Sequence, residues 1–119
     1  MFDSLFLKSA AALVIIDSIF LYAMKGHFNK QVKRIQGSPL KLNMWGALIT
    51  YIFLVIGLYY FIIKPKRNVK DAFLFGLIVY GVFEGTNIAI FSKWSWITFL
   101  IDTLWGGILC ALTTYIVQQ

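Results

Sequence analysis

The chain has one cysteine, Cys110, and one histidine, His27, among its 119 residues. A lone thiol excludes an internal disulfide and a cysteine-based metal centre, and with a single imidazole a zinc site would need an all-carboxylate ligand set. No metal and no other cofactor is expected. Charge is scarce as well: charged residues make up 13% of the chain, with five acids against eleven bases, about half the charged share of a soluble domain. No histidine is placed to activate Cys110, which reads as a small packing residue. An enzyme is therefore the least favoured class, since neither a nucleophile with its base nor a metal cluster is visible.

What the chain has in abundance is apolar side chains, 60% of the total, with 18% aromatic. Such a composition belongs in a bilayer, and spans of about 20 residues each leave room for four helices with short loops. The reading is an all-α integral membrane four-helix bundle, multi-pass, forming a single transmembrane domain over residues 1–119, with spans at about 5–24, 42–63, 72–91 and 96–117. The first stretch lacks a basic start and carries Asp17 inside its apolar run, so it reads as a retained helix and not as a cleaved signal peptide.

Residues 25–41 are basic, yet Phe28, Val32 and Ile35 recur at helical spacing. This pattern fits an interfacial amphipathic helix ended by Gly37-Ser38-Pro39, or else a disordered basic loop. The second span carries no charge, and Trp45 near its start with Tyr59 and Tyr60 near its end suit interfacial belts. Lys64-Pro65-Lys66-Arg67 stops it, and Asp71 suits the start of the third span. Ser92-Lys93-Trp94 allows only a tight hairpin, making spans three and four antiparallel neighbours.

The formal net charge of +6 comes from basic residues clustered between apolar stretches, which points to a lipid surface as partner and away from nucleic acid. The face holding residues 25–41 and 92–95, here side B, carries six basic residues; the other face carries four, or five with a snorkelling Lys8. That bias leans side B towards the cytoplasm, with dual insertion left open.

Three acids break the apolar pattern. Glu84 lies nine residues before Lys93 and Asp102 nine after, which at about 1.5 Å per residue puts both about 13 Å from the hairpin apex. Asp17 lies eight residues before Lys25 on a helix leaving on the same face, so all three share a layer in the side B half. Gly76, Tyr80, Glu84 and Asn87 form one stripe of the third helix under a 3.6-residue period; Thr98, Asp102, Trp105, Gly106 and Thr113 form one on the fourth, with Gly107 and Cys110 beside it. Gly81 and Gly85 make a small-x-x-x-small ridge for helix approach. Ionisable groups at such depth point to a site: Asp17, Glu84, Asn87 and Asp102 as a proton or cation site, with Asn87 a neutral hydrogen-bond partner, supported by Tyr80, Thr86, Thr98, Trp105 and Gly106.

The segment Gly81-Val82-Phe83-Glu84-Gly85-Thr86-Asn87-Ile88-Ala89, then Trp94-Ser95-Trp96, then Ile101-Asp102-Thr103-Leu104-Trp105-Gly106-Gly107 resembles domain-of-unknown-function family 2177, small four-helix membrane proteins with a "Tyr-Asp-x-Thr-Asn-x-Ala" motif, a Trp-containing link and a "Val-Asp-x-x-Trp-Gly" motif. The resemblance covers the whole chain, and Asp17 falls where such proteins carry an acid in the first helix. Phe83 stands where the family often has Tyr, Glu84 where it has Asp, and Ser95 where Pro is common. The resemblance implies an architecture and carries no activity.

Three functions fit. The first is a small transporter or channel moving protons or cations through the acidic layer, working as a homodimer or larger assembly. The second is a structural scaffold or accessory subunit, in which protonated acids hydrogen-bond across helices. The third is an antiporter of the small multidrug resistance type, whose single essential carboxyl leaves Glu84 and Asp102 without a role.

Overall fold

The computed structural model describes residues 3–118; Met1, Phe2 and Gln119, the ends of the expected 1–119 domain, lie outside them. Four helices follow one another: α1 (Ser4–Gln36), α2 (Met44–Leu58), which runs on into a π-helical turn (Tyr59–Ile63), α3 (Val69–Ile90) and α4 (Trp96–Val117). All four are long and apolar enough to cross a membrane, counting α2 with its π-helical turn. Each begins on a side chain that accepts a backbone N–H of its first turn: Asp3 from Phe6, Asn43 from Gly46, Asn68 from Asp71, and Ser95 from Ile97 and Thr98. Such caps are each worth about 0.5–2 kcal/mol, and they set the helix starts where the apolar periodicity alone is silent.

The basic segment after the first span is helical, but it is no separate element. α1 continues through it without a break for 33 residues, well beyond the roughly 20 that hydrocarbon requires. Buried Gln31 explains the continuation, because it ties this extension to the link between α3 and α4 (described below). Gly37 then ends α1 at φ 78°, in the left-handed region, with its N–H bonded to Lys33 O at 2.8 Å.

At the opposite end, α2 widens into the π-helical turn, with Lys64 N–H on Tyr59 O at 2.8 Å. The wider turn buries Tyr59, Ile62 and Ile63. Tyr59 donates its hydroxyl to both carboxylate oxygens of Asp3, at 2.9 and 3.1 Å, and meets the ring of Phe6 edge-on. Asp3 is held below the ordinary carboxyl range, first by the Phe6 N–H and then by the Tyr59 hydroxyl. α3 starts at Val69, three residues ahead of the expected span, because Asn68 supplies the cap.

α3 and α4 make the tightest contact in the bundle, and glycine makes it possible. A Cβ on Gly76 would fall 2.0 Å from Gly106 O, and one on Gly107 2.8 Å from the Phe73 ring. Gly81 and Gly85, expected to form the ridge, do not form it: Gly81 meets only a Thr103 methyl in ordinary contact, and Gly85 faces open space. Sequence spacing marks a glycine pair but not the crossing point, which lies one to two turns nearer the start of α3.

Helix direction sorts the interior into two halves. Away from side B, Leu13, Leu58, Ile63 and Leu109 pack a mainly apolar core that also buries Ser9, Thr113 and Thr114. Towards side B the buried side chains are polar: Asp17, Gln31, Glu84, Asn87, Thr98 and Asp102.

Candidate functional site

Asp17 sits where three helices converge. Its Oδ1 accepts the indole N–H of Trp105 on α4 at 2.8 Å, and its Oδ2 accepts a hydrogen bond from the Tyr51 hydroxyl on α2. Phe20, nearly one turn further along α1, stacks on the Trp105 indole with ring centroids 4.3 Å apart and planes 4° apart. Both oxygens are thus met, and the indole is fixed by an aromatic ring as well as by its bond to the acid.

Glu84 and Asp102 are arranged differently. Glu84 is fully buried, at 0% exposure, and Asp102 is 8% exposed. Asp102 stands close to Glu84, and Asp17 is near enough to act on Asp102 electrostatically. The Oε1 of Glu84 accepts the indole N–H of Trp94 at 2.7 Å, which folds the α3–α4 link back over the pair. Among the described residues its buried Oε2 has no hydrogen-bond donor, and the buried amide nitrogen of Asn87 has no acceptor. Asn87 therefore lies one turn from Glu84, but its amide N–H groups do not serve the acids as expected.

Between α2 and α3 a side cleft of about 510 Å³ reaches down to Asp102, lined by Ile49, Thr50, Phe53, Leu54, Phe75, Val79, Tyr80 and Phe83. Phe53 and Phe83 at its rim are 73% and 57% exposed, so the cleft opens sideways, where lipid surrounds the bundle. Tyr80 is held against it by Gly106, where a Cβ would fall 2.2 Å from the Tyr80 ring. Trp105 belongs with Asp17 instead and does not line the cleft.

Two other expected supporting residues lie elsewhere. Thr86 is exposed and returns its hydroxyl to Val82 O at 2.7 Å on its own helix. Thr98 is buried one turn before Asp102 and belongs to a separate polar lock at side B. In that lock Gln31 accepts from the Thr98 hydroxyl and from Ser95 N–H, each at 3.0 Å, and donates to Lys93 O at 2.9 Å. His27 Nε2 lies 2.7 Å from Thr98 Oγ1. Because that hydroxyl gives its one proton to Gln31, His27 is the donor in the pair. His27 thus bridges α1 and α4.

The polar partners that sequence reasoning missed are Tyr51, Gln31 and the role of Trp94. Depth counting was able to find Tyr51, which lies about 10 Å into α2 from its side B end at about 1.5 Å per residue, level with Asp17. Gln31 and His27 stand four residues apart on one helical face, a signal hidden once the first span is cut at the first lysine.

No curated protein and no solved structure matches the chain. A family model described as "Predicted membrane protein (DUF2177)" matches residues 3–118. The fold is the four-helix one that the resemblance implied, and the motif residues Glu84, Trp94, Asp102 and Trp105 are those whose side chains meet at the two carboxyl sites. The chain belongs to this family of membrane proteins.

Proposed function

We propose that this membrane protein is a proton-linked transporter in which the Glu84–Asp102 pair binds and releases the proton. The observation that carries the reading is a cleft that reaches Asp102, with Glu84 close beside it and one buried Glu84 oxygen left without a donor among the described residues. Two carboxylates close together within a low-dielectric interior repel strongly, and one proton between them removes the repulsion. Trp94 gives Glu84 a fixed donor on Oε1, leaving its other oxygen for that proton. In this reading Asp17 organises α1, α2 and α4, and the working unit is a homodimer, since four short helices enclose little space. Side B, with its excess of basic residues, faces the cytoplasm.

A structural role has one observation of its own: Asp17 is satisfied on both oxygens and ties three helices together. Reconstituted vesicles separate the two. With a pH jump across the membrane and a dye inside, wild-type protein passes protons, and Asp102→Asn and Glu84→Gln stop the flux while melting near the wild-type temperature. If wild-type protein passes none, and the substitutions change only stability, the bundle is a scaffold.

A further inference from the structure

We propose that the side cleft between α2 and α3 is a binding site for hydrophobic organic cations, which enter from the bilayer and exchange with the proton of the carboxyl pair. The inference rests on the proton-linked reading and adds the class of substrate. Its volume of about 510 Å³ is that of a site for a drug-sized molecule. Phe53, Phe75, Tyr80 and Phe83 line the space with aromatic side chains, and Asp102 is the only charged residue among the described residues that line it. Aromatic faces attract a cation, the more so when water is excluded.

The titratable groups around the cleft are all acids. Around Asp102 and Tyr80 stand Glu84 on α3, Asp17 on α1, Tyr51 on α2 and Cys110 on α4. Among the described residues no lysine, arginine or histidine lines the cleft, so neither a phosphate headgroup nor any other anion has a cationic partner there. A neutral acyl chain would match the walls but leave the acid facing hydrocarbon. A cation satisfies both features, and charge balances when it enters: one proton leaves Asp102–Glu84 for solvent as one positive charge takes its place, with no other bond made or broken.

The test uses wild-type protein in bilayer discs of a zwitterionic lipid, with tetraphenylphosphonium as probe and uncharged triphenylphosphine oxide as its control. The expected result is saturable binding of the cation, a proton released for each one bound, and binding weaker by about tenfold or more for the neutral probe and for the Asp102→Asn protein. Equal binding of the two probes, or no saturable binding because a lipid chain or a second copy fills the cleft, overturns the inference. The wild-type comparison decides even where Asp102→Asn fails to fold. Infrared titration of the same discs keeps the two readings apart. A carboxyl that titrates without cation binding removes the substrate assignment and leaves the proton site, whereas the absence of any titrating carboxyl removes both.

Discussion

Asp17, Glu84 and Asp102 are all buried, with Asp17 and Glu84 near enough to act on Asp102, yet their oxygens are met in opposite ways. Around Asp17, donors arrive from two other helices, and a stacked phenylalanine fixes the indole that provides one of them. Around Glu84 one oxygen has its indole donor from the link, while among the described residues the other has none and a neighbouring amide is also left without a partner. A buried polar group without a partner costs about 1–3 kcal/mol, so such an arrangement persists in a fold when the group serves another end or carries a proton. The difference teaches that depth in the membrane does not assign a role to an acid. What assigns it is whether the protein supplies the carboxyl's hydrogen bonds or leaves them to something that comes and goes.

Breaking the satisfied site should have the largest effect on stability. Asp17→Ala leaves the Tyr51 hydroxyl and the Trp105 indole without their acceptor and should cost about 1–4 kcal/mol, taking each bond at about 0.6–2 kcal/mol. Thermal melting in bilayer discs measures it; a loss near zero would mean that Asp17 is not a tie. Separating the helices beneath the other site comes next. In Gly76→Ala the new methyl meets the carbonyl of Gly106, and parting α3 from α4 should cost about 1–3 kcal/mol. Because Glu84 and Asp102 stand on those two helices while Asp17 is held from α1, this change should disturb the carboxyl pair's titration more than the Asp17 contacts. Tryptophan fluorescence and infrared spectra of the variant distinguish the two.

These comparisons also show how much could be read from the sequence. The buried stripes of α3 and α4 follow from a 3.6-residue period, because Gly76, Glu84, Asn87, Asp102 and Gly106 fall on single helical faces and each face has one neighbour to pack against. Partners between helices distant in sequence do not follow from periodicity. Tyr51 was an unremarked aromatic in the most apolar span, and Trp94 belonged to a link whose fold over Glu84 depends on the path between two helices. Lys25 marks where the bilayer ends and not where α1 does; Gln31, six residues further, keeps the helix going by docking on the link. Thr86 lies one turn from Val82 and bonds to its carbonyl, a local option open to any helical threonine, so its polarity carried no information about the site.

A smaller effect is expected from Trp94→Phe, which removes the donor on Glu84 Oε1 while keeping an aromatic ring in the link. About 1 kcal/mol of stability should be lost, with a change in the pH at which the carboxyl pair titrates; an unchanged titration would detach the link from the pair. The smallest effect lies at the far end of the bundle, where Asp3 caps α1 and accepts from Tyr59. Its folded-state value is lowered from the ordinary 3.8. The capping contribution is therefore present above the ordinary value and is lost as pH falls through the lower folded value. Asp3→Asn should flatten this acid-side loss of melting temperature and leave the carboxyl pair's titration alone.

The most direct test of the contrast between the two sites is infrared spectroscopy of the protein in bilayers, following the carbonyl band of protonated carboxyl groups as pH is raised. The account predicts such a band at neutral pH in wild-type protein, its loss in Asp102→Asn and in Glu84→Gln, and its persistence in Asp17→Asn. A band that disappears only with Asp17, or no protonated carboxyl at all, would contradict the assignment of the proton to the Glu84–Asp102 pair.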